Sequence, residues 1–345
     1  MSGVGFVHLR VRSAFSLLEG ALHLKDIVKL AAADAQPAIA VTDRANLFGA
    51  LEFSDKAAGA GLQPIVGCDL PLDLGEPDDG RSRPAEAMPS VLLLAADRTG
   101  WANLVRIVSR AYLAGGGEGR VAADRALVEA NAAGLVALTG WRAGPLGEAL
   151  ARDRADLARH RLGWLQAVFG DRLYVEIQRH GLADEPMLEA AHVDLAYAAG
   201  LPLVATNDVH FAVAGDHQAH EALLAIADGT RLSDDKRRRL TPEHRLKTRS
   251  EMIALFSDLS EATANAVEIA RRCNARPLKA PPLLPRFASA EDGADIDGDA
   301  VEAEILRERA RAGLRRRLEV KGPHRGSTPR STAIGSSTSC ASSSA

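Results

Sequence analysis

Residues 6–13 read Phe-Val-His-Leu-Arg-Val-Arg-Ser, an apolar run interrupted by one histidine and two arginines. Side chains two residues apart on a strand point to the same face, so His8, Arg10 and Arg12 are expected together at the end of a first strand. Residues 42–44 (Thr-Asp-Arg) and 207–210 (Asn-Asp-Val-His) also follow apolar runs. The sequence therefore predicts that charged and polar side chains collect at the ends of buried strands.

Short apolar runs recur along the chain, and a stretch long enough for a helix follows each of them. The seven strand candidates are Phe6–Val11, Ala38–Thr42, Pro64–Leu70, Ser90–Ala95, Gly134–Leu138, Leu173–Ile177 and Leu201–Thr206. Alternating strands and helices are typical of a parallel α/β fold, and seven units over about 250 residues match a closed β/α barrel. We expect a seven-stranded barrel, with the candidate site at the carboxyl ends of its strands.

The later part of the chain divides into regions of different composition. We predict capping helices that complete a first domain over 1–275, a proline-rich and acidic linker over 276–300, and the start of an incomplete second domain over 301–321. Residues 322–345 are rich in Ser, Thr, Gly and Ala, and such a segment is predicted to be disordered. Two explanations remain open for this tail: an ordinary flexible extension, or translation out of the original reading frame.

Composition limits the function classes. The chain has 345 residues, of which 46% are hydrophobic and 25% charged, with a formal net charge of −3. These values are typical of a soluble globular protein and argue against binding to nucleic acid through bulk charge. The apolar runs are too short to cross a membrane, and three unpaired cysteines fit a reducing compartment, so we expect a cytoplasmic protein. The basic run 236–239 is either a solvated loop or a contact for phosphates.

The residue types at the strand ends resemble an altered metal site. Carboxylates and neutral imidazoles donate lone pairs to a metal ion, whereas a guanidinium group stays protonated and accepts nothing. The ligand-type side chains expected at the barrel end are Asp43, Asp69, His180, Asp208 and His210. The arginines expected beside them are Arg10, Arg12 and Arg44. Ion pairs from these arginines to Asp43, Asp69 or Asp208 could take the place of a metal.

Several ordered motifs extend this pattern along the chain. They are 6–20 (FVHLRVRSAFSLLEG), 40–49 (AVTDRANLFG), 63–68 (QPIVGC), 204–211 (VATNDVHF), 267–274 (VEIARRCN) and 284–287 (LPRF). Together they resemble the polymerase and histidinol phosphatase (PHP) domain at the N-terminus of bacterial DNA polymerase III alpha subunits, which are C-family replicative polymerases. The resemblance covers roughly Phe6 to Val320 and implies a distorted α/β barrel of PHP type, followed by the beginning of a polymerase core.

The resemblance also bears on the site residues. Metal-binding members of the family carry histidine ligands in the first motif and after the Thr-Asp of the second, at positions that correspond to Arg10, Arg12 and Arg44. Asp43, Asp69, His180, Asp208 and His210 are then remnants of a ligand set. We therefore expect no assigned catalytic residue and no cofactor in this chain. Zinc or manganese remains the candidate if the remnant site binds a metal, and magnesium belongs to the full-length polymerase.

For function, the resemblance implies part of a DNA-directed DNA polymerase, a nucleotidyltransferase of DNA replication, without its polymerase active site. The expected role is a scaffold for the proofreading exonuclease (epsilon) and other holoenzyme subunits, with DNA as a partner of the full-length protein and no membrane contact. Two enzymatic functions remain as alternative hypotheses. One is a metal-dependent phosphoesterase or 3′–5′ exonuclease with a reduced metal site, and the other is a stand-alone phosphatase of the histidinol phosphate type.

Overall fold

The computed structural model describes residues 5–75, 88–115, 121–282 and 298–322. The chain forms two compact units, Met1–Lys279 and Ala280–Ala345. Within the described residues, no helix is long and apolar enough to cross a membrane. Most of the predicted linker and nearly all of the predicted tail lie outside the described residues.

A seven-stranded sheet forms the centre of the first unit, as far as the described residues show. Its strands are β1 Ala38–Arg44, β2 Gln63–Asp73, β3 Ser90–Ala95, β4 Ala123–Asp124, β5 Leu135–Leu138, β6 Leu173–Ile177 and β7 Leu203–Ala205. The strand order is β1-β2-β3-β5-β6-β7, and β4 pairs with β2. Every residue of β3 and β5 is buried, which explains why these strands appear as continuous apolar runs in the sequence.

The direction of one strand differs from the expectation of a parallel sheet. β3 runs antiparallel to both of its neighbours, β2 and β5, whereas the pairs β1–β2, β5–β6 and β6–β7 are parallel. A buried strand is apolar whichever way it runs, so the sequence pattern carried no information on direction. The predicted α/β class is confirmed, but the sheet is mixed and not all parallel.

The segment predicted as the first strand, Phe6–Val11, is extended but forms only an isolated parallel bridge between Val11 and Val209. It nevertheless joins both edges of the sheet. Thr42 N in β1 donates to Val11 O at 2.9 Å, and Arg12 N donates to Val209 O, four residues beyond β7, at 2.9 Å. The arginines of this segment are thereby placed between the two ends of the sheet.

Helices surround the sheet in the first unit. They are α1 Leu24–Ala33, α2 Ala50–Gly59, α3 Arg98–Ala114, α4 Arg125–Ala130, α5 Pro145–Leu150, α6 Ala155–Phe169, α7 Glu185–Ala198, α8 His217–Ala227, α9 Arg249–Leu255 and α10 Ser260–Arg272. In α1 the apolar residues Leu24, Ile27, Val28 and Ala31 form one buried face. The second unit contains α11, Gly298–Lys321.

Candidate functional site

Six buried or largely buried charged side chains meet at one end of the sheet, and we call them the charge cluster. Its members are Arg10, Arg12, Arg44, Asp69, Glu176 and Asp208. The fold brings them together from separate elements. Arg44 and Asp69 are direct partners in the register of β1 and β2, Glu176 belongs to β6, and Asp208 follows β7.

Asp69 lies at the centre of the charge cluster. Its side chain is fully buried, and Arg12 Nη2 donates to Asp69 Oδ2 at 2.7 Å. Arg10 Nη1 lies 3.3 Å from Asp69 Oδ1, and Arg44 Nη1 lies 3.5 Å from Asp69 Oδ2. Burial alone would raise the pKa of this carboxyl, but the charges of the three arginines together lower it to about 2. Asp69 is therefore held as a carboxylate by cations of the protein itself.

Glu176 is a second buried carboxylate, and it was not among the site residues expected from the sequence. It accepts from Arg10 Nε at 2.8 Å and Arg10 Nη2 at 3.2 Å, in a bidentate pair. Gly140 N, Gln178 Nε2 and Thr206 Oγ1 also donate to its oxygens, at 3.0, 3.0 and 2.5 Å. The only available signal was a single glutamate within the apolar run of β6, which a buried strand accepts only when its charge is paired.

Asp208 and Glu19 extend the ion pairs toward the surface. Asp208, whose φ is +42°, accepts from Arg12 Nε at 3.1 Å. Burial opposes ionisation of Asp208, but the charges of Arg12 and His210 hold its pKa well below the usual range. Arg12 Nη1 donates to Glu19 Oε2 at 3.0 Å, and Arg238 Nη1 donates to Glu19 Oε1 at 3.0 Å. A chain of alternating charges thus runs from Asp69 to an exposed loop.

Asp43 was one of three suggested partners for the arginines, but it accepts hydrogen bonds from two serines. Ser13 N and Ser16 Oγ donate to Asp43 Oδ1 at 2.7 and 2.6 Å, and Ser13 Oγ donates to Oδ2 at 2.8 Å. Asp43 therefore anchors the turn that follows the Arg10–Arg12 segment. Of the three suggested arginine partners, the structure pairs Asp69 and Asp208 with guanidinium groups and gives Asp43 a structural task.

The two predicted histidines are engaged by neighbouring protein groups. His180 Nε2 lies 2.6 Å from Asn207 O, and its Nδ1 lies 3.2 Å from Glu185 Oε1. His210 Nδ1 lies 3.1 Å from Glu19 O, and its Nε2 lies 3.3 Å from Asp208 Oδ2. Oxygen acceptors face the nitrogens of both rings, so the imidazoles contribute to holding the loops at the barrel end.

His244 is a further member of this region that the sequence did not indicate. Its ring stacks on that of His180, with centroids 3.8 Å apart, and lies 5.8 Å from the ring of His210. Burial lowers the pKa of His244 to about 2, and charge on His180 and His210 acts in the same direction. His244 is thus a neutral stacking partner.

These contacts test whether the region suits a divalent metal. Among the described residues, no three His, Cys, Asp or Glu side chains are grouped so that they could hold an ion. Oxygens of Asp69 and Asp208, which a metal would need, face guanidinium groups at 2.7–3.5 Å. Added positive charge repels a cation, so the residues present do not fit a divalent metal cluster.

The basic run at 236–239 is partly neutralised. Arg237 Nη2 lies 2.9 Å from Glu221 Oε1, and Arg238 forms ion pairs at 3.0 Å with both Glu19 and Asp228. Arginines that are already paired with carboxylates are poor candidates for phosphate contacts. Through the ion pair between Arg238 and Glu19, the run instead anchors the exposed loop 228–240 at the barrel end.

Comparison with known proteins agrees with this architecture. The family model for the PHP domain matches residues 8–180. DNA polymerase III subunit alpha of Caulobacter vibrioides is 46% identical over 317 residues, covering 92% of this chain and 27% of that protein. The Escherichia coli (strain K12) subunit is 39% identical over 325 residues, covering 94% of this chain and 27% of that protein. The chain therefore spans about a quarter of the length of the curated relatives it matches.

Among solved structures, an amidohydrolase from Chromobacterium violaceum aligns with a TM-score of 0.38 and 18% identity, covering 59% of this chain and 87% of that one. A likeness of this degree supports no conclusion about activity. The family match, in contrast, extends over half of the chain and includes Arg10, Arg12, Arg44, Asp69 and Glu176. The chain belongs to the PHP domain family, and its curated relatives are DNA polymerase III alpha subunits.

Proposed function

We propose that this chain acts as a non-catalytic docking platform within a replicative DNA polymerase, where it holds the proofreading exonuclease (epsilon) subunit. The observation that carries the proposal is the charge cluster, in which guanidinium groups occupy the positions expected for metal ligands. The alpha-subunit relatives support the setting of DNA replication. The proposed location is the cytoplasm. Nucleotidyl transfer with magnesium and contacts to DNA would belong to the remainder of such a subunit.

The physical basis of the proposal is that the barrel end is stable without an ion. Carboxylates gathered at strand ends repel one another unless a cation lies between them. In this chain the bidentate Arg10–Glu176 pair and the Arg12 contacts to Asp69 and Asp208 supply that cation from the protein. Hydrogen bonds from Gly140, Gln178 and Thr206 satisfy further lone pairs of Glu176. A platform of this kind keeps its shape regardless of metal supply.

Binding to the proofreading exonuclease subunit of the same organism tests the proposal. We expect a 1:1 complex in size-exclusion chromatography with light scattering, and we expect EDTA to leave the complex unchanged. Failure to form a complex would contradict the docking role.

Elemental mass spectrometry after incubation with zinc and manganese, followed by dialysis, tests the enzyme alternative. We expect a metal content far below one ion per chain. Near-stoichiometric metal that is lost in Asp208→Ala, but kept in the exposed control Asp171→Ala, would instead support a phosphoesterase or 3′–5′ exonuclease and would require nuclease assays.

A further inference from the structure

Two polar nitrogens on neighbouring rings are buried near the barrel end. Trp141 begins the short turn Trp141–Ala143 after β5 and is 2% exposed, and His192 on α7 is fully buried. Their ring centroids lie 4.8 Å apart, with an angle of 49° between the planes. Neither Trp141 Nε1 nor His192 Nε2 has a hydrogen-bond partner among the described residues. Because buried polar groups are almost always paired, by protein or by ordered water, these two nitrogens require a further partner.

The two nitrogens have opposite hydrogen-bonding roles. The indole Nε1 of Trp141 carries a hydrogen and can only donate. His192 Nδ1 lies 2.8 Å from Leu188 O, and since a carbonyl oxygen only accepts, this nitrogen carries the hydrogen of the neutral imidazole. Burial lowers the pKa of His192 to about 4, so the ring is neutral at pH 7 and Nε2 presents a lone pair. One molecule that accepts from Trp141 and donates to His192 would satisfy both.

Close backbone packing fixes the position of Trp141. Its φ is +50°, in the left-handed region that bulky residues rarely adopt. A Cβ at Gly140 would lie 1.9 Å from Ser90 O in β3, and a Cβ at Gly147 in α5 would lie 2.2 Å from Trp141 O. The turn therefore has little room to shift and bring the indole nitrogen closer to His192.

The helix α7 fixes the position of His192 in the same way. Leu188 and Ala196, four residues to either side of His192, are fully buried. Rotation of the imidazole would break its hydrogen bond to Leu188 O. Neither ring can therefore readily move to form a direct bond with the other.

We propose that one ordered water molecule bridges the two rings, accepting a hydrogen bond from Trp141 Nε1 and donating one to His192 Nε2. With a hydrogen bond of about 2.9 Å on each side, a water joins atoms that lie roughly 5 Å apart. This span suits nitrogens on the rims of rings whose centroids are 4.8 Å apart. Buried waters typically serve groups of this kind, which lack a partner in the protein.

Other occupants fit the two nitrogens less well. A metal ion cannot bind the indole Nε1, because that nitrogen offers no lone pair, and the described part of the chain contains no group of three ligand side chains. An anion would accept from Trp141 but would face the lone pair of His192 Nε2. A small neutral molecule that both donates and accepts satisfies the two nitrogens together, and water is the smallest one available.

The bridge would support the charge cluster from behind. Gly140 precedes Trp141 in the same turn, and its N donates to Glu176 Oε2 at 3.0 Å. Glu176 in turn pairs with Arg10. A water between Trp141 and His192 thus connects α7 to the turn that holds one oxygen of Glu176, and it would do so whether or not the chain docks a partner.

Nuclear magnetic resonance on the deuterated full chain tests the proposal. The three tryptophans give three indole N–H signals, and Trp141→Phe identifies the signal of Trp141. We expect a nuclear Overhauser cross-peak between this indole proton and a long-lived water. His192→Phe removes the acceptor while keeping a ring, so it should abolish the cross-peak. The matched control His160→Phe, at an exposed position on α6, should retain it.

The wild-type spectrum alone can overturn the proposal. Absence of the cross-peak would show that no long-lived water lies beside the indole. A scalar coupling between Trp141 Nε1 and His192 Nε2 would show a direct hydrogen bond in its place. Persistence of the cross-peak in a folded His192→Phe variant would show that the water does not depend on His192, which also contradicts the bridge.

Melting temperatures give a second, independent measurement. His192→Phe alone leaves the buried indole N–H without its acceptor, whereas adding Trp141→Phe removes that donor. The double variant should therefore lose at least about 2 °C less than the sum of the two single losses. Phenylalanine keeps a ring at both positions, so ring packing is largely retained. The control pair, Trp141→Phe with His160→Phe, should be additive, and additivity in the test pair would overturn the proposal.

Discussion

Asp69 is fully buried and makes charge contacts with three guanidinium groups. The stability of the folded protein therefore depends on all three arginines. A buried ion pair contributes little net free energy, because desolvation of both groups offsets their attraction. Removal of one partner is costly, however, because the remaining buried charge then lacks compensation. The arginines of the charge cluster are therefore predicted to be far more sensitive to substitution than exposed arginines.

Arg12→Met tests this sensitivity, since Arg12 contacts Asp69, Asp208 and Glu19. The variant should lower the free energy of unfolding by about 3–5 kcal/mol, as measured by urea denaturation. Arg271→Met is the matched control, because Arg271 is 75% exposed in its ion pair, and it should change stability by no more than about 0.5 kcal/mol. A loss below about 1 kcal/mol for Arg12→Met would contradict the structural role of the cluster.

His8 should make the protein less stable in mild acid. Burial lowers the pKa of His8 to about 4, although its hydrogen bond to Lys247 O opposes the shift. An unfolded histidine has a pKa near 6.5, so between about pH 6.5 and 4 the unfolded chain takes up the proton first. The contribution of His8 is fully present above about pH 6.5 and is lost as the pH falls toward 4.

Urea denaturation across this pH range measures the effect of His8. Wild-type protein should lose up to about 3 kcal/mol through this residue, and His8→Gln should show a smaller dependence on pH. His160→Gln, at an exposed position on α6, is the control and should follow the wild-type profile. Equal profiles for His8→Gln and wild-type protein would show that His8 does not titrate as described.

At the scale of residues, the sequence identified the arginines of the charge cluster and their partners Asp69 and Asp208, but not Glu176. Arg10, Arg12 and Arg44 were recognisable because a guanidinium group stays protonated and cannot donate a lone pair to a metal ion. Such residues are unexpected among ligand-type side chains. Glu176 was missed because its role depends on where β6 lies relative to the Arg10 segment, which is a property of the sheet and not of the local sequence. The serine contacts of Asp43 depend in the same way on how the turn after Arg12 folds back.

At the scale of elements, apolar runs predicted most strands. The bounds of β3 and β6 agree with the prediction, since each is a continuous buried run. The antiparallel direction of β3 and the two-residue strand β4 were not predictable. The first depends on pairing between distant segments, and the second is too short to show a period.

Two glycines in helices should respond in opposite ways to the same substitution. A Cβ at Gly100 in α3 would lie 1.8 Å from Gly134 O, whereas a Cβ at Gly163 in α6 would meet no atom within 4 Å. Gly163→Ala should stabilise the protein by about 0.5–1 kcal/mol, because alanine loses less backbone entropy on folding. Gly100→Ala should destabilise it by about 2 kcal/mol or more, because backbone atoms must move.

Thermal denaturation of the two alanine variants, recorded in parallel, provides the measurement. The second glycine serves as the control for the first, since both lie within helices of the same unit. Similar shifts of the melting temperature in the same direction would show that the close approach of α3 to Gly134 is absent in solution.

At the scale of the whole molecule, the division into two units predicts where the chain can be shortened. The charge cluster lies within Met1–Lys279. Residues 274–277 still belong to that unit, because Asn274 N donates to Ala96 O at 2.8 Å and Ser54 Oγ donates to Pro277 O at 3.2 Å. The boundary predicted from sequence, at residue 275, would cut between these two contacts.

A chain truncated after Lys279 should melt within about 2 °C of the full chain, because it keeps both contacts. Truncation after Cys273 is the matched comparison, and it should lower the melting temperature by several degrees, roughly 4 °C or more, through loss of both hydrogen bonds. Differential scanning calorimetry measures the melting temperatures of the two truncated chains and of the full chain. A large loss of stability in the longer chain would show that the first unit depends on residues beyond 279.

The threefold contact of Asp69 also affects how the sequence can change over time. Histidine at position 12 alone would leave Asp69 with fewer cations before any metal could bind, so single steps back toward a ligand set would be disfavoured. The benefit of each change would depend on the other two having already occurred. Because of this dependence, the replacement of metal ligands by arginines is expected to be maintained and to be difficult to reverse by single substitutions.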